Sequence, residues 1–202
     1  MKKTLSLALV ALLAVSALGV SGCKQIQNTL HNPVGDANAA VVSANANLKK
    51  VAASEAKVQA LGNDMSILEP TADGAKQALE IILKLRDELA VQKRELEAAK
   101  KSLSTIKAGD VKPEFKRYAQ LEIASIDTRL TVVGEGSKLY DQLDAMYSAI
   151  REKKLTNTLS KKISTEIDTI RNNIAALSDQ ATAESTTASD YFEAQELGGT
   201  TK

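Results

Sequence analysis

Residues 75–106 read AKQALEIILKLRDELAVQKRELEAAKKSLSTI, and this stretch decides the fold. Ala75, Ala78, Ile82, Leu85, Leu89, Gln92, Leu96, Ala99, Leu103 and Ile106 follow one another at alternating spacings of three and four. That is a heptad seam, the period of a helix packed lengthwise against other helices, with one polar interruption at Gln92. Gly109-Asp110 and Pro113 close the segment, and Thr71 to Gly74 open it.

The same period runs outward on both sides. Upstream, residues 37, 41, 44, 48, 51 and 58 are apolar, a series broken at Glu55. Asp36 is the expected N-cap of this first helix, and Gly62-Asn63-Asp64 with Pro70 beyond is the expected stop. Downstream, Pro113 suits the first turn of a third helix, where its missing N–H costs nothing. Its seam runs Ala119, Ile123, Ile126, Leu130 and Val133, then Tyr140, Leu143, Tyr147 and Ile150. Gly134-Glu135-Gly136 interrupts it, and a kink or a loop is expected there. A fourth helix from about Thr156 to about Ala194 carries Leu159, Ile163, Ile167, Ile170, Ile174, Leu177, Ala181, Ala188 and Tyr191.

Four such helices cannot hide their stripes singly but can do so together. The expectation is an all-α fold, an elongated antiparallel up-down bundle of four long helices or an antiparallel coiled coil. A closed monomer is favoured over an open array that dimerises to complete its core. Alanines at the start of the first helix (Ala37, Ala40, Ala44) and near the end of the fourth (Ala181, Ala188) are expected to meet, because small side chains let helices approach closely.

Composition limits the alternatives. Six aromatic residues, no Trp and few Gly or Pro are poor material for a β-sandwich. One Cys excludes an internal disulfide, and one His beside it excludes the usual zinc and haem-thiolate ligand sets. The acids and bases nearly balance, so no cationic excess exists for nucleic-acid binding.

Residues 1–22 divide into a basic start (Lys2, Lys3), an apolar stretch from Leu5 to Val15 and a small-residue end. This is the architecture of a cleaved secretory signal, too short in its apolar run for a spanning helix. The end, Val20-Ser21-Gly22-Cys23, resembles the lipobox of bacterial lipoproteins. The resemblance implies cleavage before Cys23, a diacylglyceryl group on its sulfur and acylation of the new amine. Two or three acyl chains would give durable membrane attachment. Without lipid, Cys23 would be a free thiol. Lys24 follows where Asp marks inner-membrane retention in Gram-negative lipoproteins, which resembles sorting to the outer membrane. In a Gram-positive organism the anchor would be the outer face of the plasma membrane. The expected organisation is therefore signal 1–22, lipidated Cys23 and tether 23–35, bundle 36–197 and a flexible tail 198–202.

Candidate chemistry is sparse. His31 stands alone in the tether, and no Glu-x-x-His occurs for a di-iron site. Glu135, Asp141 and Asp144 cluster near the glycine pair, where a solvated face is the favoured reading. Gly134, Gly136, Tyr140 and Tyr147 are the candidates for a ligand groove, with core packing as the commoner role of such rings. No cofactor and no catalytic or metal-binding residue is expected. The expectation is a non-catalytic, lipid-anchored interaction or structural module of the bacterial envelope. Its partner would be an envelope protein, a cell-wall polymer or a host molecule, with the chain a monomer or homodimer. The alternative is a carrier or receptor for an apolar or aromatic small molecule held between helices.

Overall fold

In a computed structural model, which describes residues 33–108 and 111–197, four helices follow one another: α1 (Pro33–Ser66), α2 (Ala72–Ala108), α3 (Pro113–Arg151) and α4 (Asn157–Ala194). At 1.5 Å per residue each is about 50–60 Å long. Consecutive helices pack along their length with short turns between them, giving an up-down, all-α bundle. The signal, Cys23, His31 and the 198–202 tail lie outside the described residues. No described helix is long and apolar enough to cross a membrane.

The α2 seam is buried in full, from Ala75 to Ile106, Gln92 included. Around it gather Val41, Leu48, Val51 and Val58 of α1, Phe115, Ile126, Tyr140 and Leu143 of α3, and Ile163, Ile167 and Ile174 of α4. One continuous core results.

Two features of α1 differ from expectation. The helix begins at Pro33 rather than at Asp36, so Asp36 lies in the first turn, where its charge opposes the helix dipole favourably. It also runs through Gly62-Asn63-Asp64 to Ser66, whose hydroxyl donates to the Asn63 carbonyl. Gly62 is buried between Val58 and Met65, so it continues the seam. Beyond it, Gly74 is required by close approach. Its amide donates to the capping hydroxyl of Thr71, and a Cβ would stand 2.0 Å from the Glu69 carbonyl oxygen.

The α3 helix is likewise unbroken across Gly134-Glu135-Gly136. The seam does not shift there: Val133, Gly136, Tyr140, Leu143 and Tyr147 keep the alternation, with Gly136 itself buried. Helices α3 and α4 end alike. Lys153 and Glu196 take left-handed backbone angles, and the amides of Lys154 and Leu197 return to the carbonyls of Ala149 and Phe192. This is the Schellman termination, here with Lys and Glu at the position where glycine is usual.

The expected meeting of small residues between α1 and α4 does not occur. These two helices have no extended packing against each other. Ala37 and Ala44 are buried within the common core, whereas Ala181 lies under α3 and accepts a hydrogen bond from Ser125. Only consecutive helices pack extensively, so the contact of the first helix with the last that was expected of a closed monomer is not found.

Candidate functional site

Halfway along the bundle the apolar core gives way to a polar layer. Glu55 stands on α1 where the apolar series breaks, one turn from Val51 and from Val58. Arg129 stands on α3, and its guanidinium donates to Glu55 Oε1 at 3.1 Å, with both side chains only 12–13% exposed. The ion pair thus joins α1 to α3 across the interior. Gln92 of α2 and Ser178 of α4 complete the layer around a cavity of about 20 Å³, which also touches Val51, Leu96 and Ala181. That is room for about one water molecule. Glu55 Oε2 and Ser178 Oγ are both buried without a hydrogen-bond partner.

The electrostatics follow from this placement. Burial pushes the Glu55 carboxyl up, and the attraction and hydrogen bond of Arg129 only partly oppose it. Glu122, two turns before Arg129 on α3, is pushed up to about 7 by burial, again against the pull of Arg129. Glu95 of α2, also buried, accepts from Arg94 and from Lys50, which hold it below the usual carboxylate range. Thr128 donates to Glu184, tying α3 to α4 beside the layer. A largely buried arginine with one carboxylate partner and a second carboxyl nearby can fix helix register and respond to pH. It contains no nucleophile paired with a base. Among the described residues, no group of three His, Cys, Asp or Glu is placed to hold a metal ion.

The residues singled out in the sequence are distributed differently. Tyr140 and Tyr147 are core residues, with burial raising both phenol pKa values, and the Tyr140 hydroxyl has no hydrogen-bond partner. Gly136 faces Leu89, with a Cβ position 3.2 Å from its Cδ1, while Gly134 faces open space. The four therefore do not share one face. Glu135 pairs with Lys138, and Arg86 of α2 takes both Asp141 and Asp144, at 2.9 and 3.0 Å. The acidic cluster is thus bound up in ion pairs. Gln92 does sit in the polar layer, as a seam residue of that type should. The Glu55–Arg129 pair is the element that sequence reading missed. Its signal was the break at Glu55 in an otherwise apolar series, facing an arginine next to the α3 seam.

Comparison with protein-family models, with curated proteins and with solved structures finds no match to this chain.

Proposed function

We propose that the chain is a bacterial envelope lipoprotein, held to its membrane by lipid on Cys23, whose helical bundle is a non-catalytic interaction or structural module. The carrying observation is the lipobox Val20-Ser21-Gly22-Cys23 behind a basic and apolar signal. Placement supports it. The described bundle starts at Pro33, only ten residues after Cys23 in the sequence, a spacing that suits attachment through one end of the rod. The cavity at the polar layer has the volume of about one water molecule, too small to be a carrier's ligand site itself. Lys24 favours the outer membrane in a Gram-negative cell.

The test is membrane fractionation of cells expressing the full-length chain or Cys23→Ala, each fed a clickable fatty acid. The wild type should be labelled and sediment with membranes, and the variant should be unlabelled. Equal labelling and sedimentation of the two would overturn the proposal.

A further inference from the structure

The end of the rod farthest from Pro33 carries its charge in two opposed halves. Up-down order places the α1–α2 and α3–α4 turns together at this end. The α1–α2 turn presents Asp64, Glu69 and Asp73, all exposed and without ion pairs among the described residues. Between them Ile67 is 81% exposed, the most exposed large apolar side chain described. The α3–α4 turn presents five cations, Arg151, Lys153, Lys154, Lys161 and Lys162, against the carboxylates of Glu152 and Glu166. Lys153 and Lys161 have no ion pair, and Lys153 is held outward in a left-handed conformation. Leu159 is exposed beside them.

We propose that this end is a docking surface for a second copy of this chain, the two rods meeting tip to tip. A twofold axis perpendicular to the rods, running between the two hairpins, places the acidic turn of each copy on the basic turn of the other. Such an isologous contact satisfies both halves at once, because residue i meets j and j meets i. The same rotation brings each Ile67 toward the Leu159 side of its mate and removes it from water. A polyanion or a flat anionic surface fits worse, since Asp64, Glu69 and Asp73 would be pressed against like charge. Four helices about 10 Å across offer roughly 400 Å² per copy, half of what a standard stable interface buries on each partner. The dimer is accordingly weak and salt-sensitive, with charge supplying its specificity. Every residue of this contact belongs to the bundle and its turns, so the contact does not depend on lipid at Cys23.

The test is sedimentation analysis of residues 24–202, which contain the whole core. The wild type should dimerise at low salt and dissociate at high salt. Lys153→Glu with Lys161→Glu, or Asp64→Lys with Glu69→Lys, should each weaken self-association about tenfold or more, while circular dichroism stays helical. Mixing the two variants should restore association, because one tip is then acidic and the other basic. A wild type that stays monomeric at low salt, a dimer indifferent to either variant, or a mixture that fails to associate would overturn the proposal.

Discussion

Arg129 reaches from α3 across the bundle to Glu55 on α1, at 3.1 Å, at a level where α1 and α4 have no extended packing. The pair is a direct link between α1 and α3, two helices that share no extensive packing. Removing one partner leaves a mostly buried charge alone, which costs more than the pair itself contributes. Arg129→Leu is expected to destabilise the fold by about 2–4 kcal/mol in urea unfolding at neutral pH, and Glu55→Leu added to it should recover most of that loss. Additive losses would mean that the two side chains do not interact.

Glu122 gives the fold a pH dependence of defined sign. Its carboxyl is raised from 4.5 to about 7 in the native state, so between these values the native chain holds a proton that the unfolded chain has released. Stability should therefore be fullest below about pH 4.5 as far as this group is concerned, fall as pH rises toward 7, and level off above. Glu55, also raised, adds in the same direction. Glu122→Gln should stabilise the protein by roughly 2 kcal/mol at pH 8 and by little at pH 4. Denaturation midpoints across that range check it, and a constant difference would contradict the assignment.

The two glycines of α3 should respond differently to alanine. Gly134 is helical and open to solvent, so Gly134→Ala should stabilise by about 1 kcal/mol from propensity alone. At Gly136 the new methyl meets the tip of Leu89, so Gly136→Ala should gain less or lose slightly. Equal gains at both positions would show that the Leu89 contact is looser than described.

Tyr140 is fully buried, yet its hydroxyl makes no hydrogen bond. Tyr140→Phe keeps the ring and removes the desolvated group, so it should stabilise by about 1 kcal/mol. A loss of stability in thermal unfolding would reveal a partner for that oxygen.

The helical period was legible in α2, α3 and α4, with Gly, Pro and Thr signals giving their ends to within a residue or two, although Leu159, read into the α4 seam, is exposed. The two glycine breaks expected in α1 and α3 fail for one cause. Gly62 and Gly136 read as punctuation because glycine lowers helix propensity, yet both are buried seam positions, and at Gly136 a Cβ would meet Leu89. Propensity is local, and the packing that overrides it is not written beside the residue. The polar layer was half legible: Gln92 and Glu55 each broke an apolar series, but a one-dimensional pattern does not say that Arg129 of another helix answers Glu55. The tip charges were visible as composition and became a surface only when the two turns came together.

The proposed lipid anchor would be carried by the N-terminal peptide of the mature protein. Mass spectrometry of protein purified from bacterial membranes should find Cys23 as the first residue, its mass increased by a diacylglyceryl group, with or without a further acyl chain on the amine. A first residue elsewhere, or an unmodified Cys23 thiol, would contradict the account.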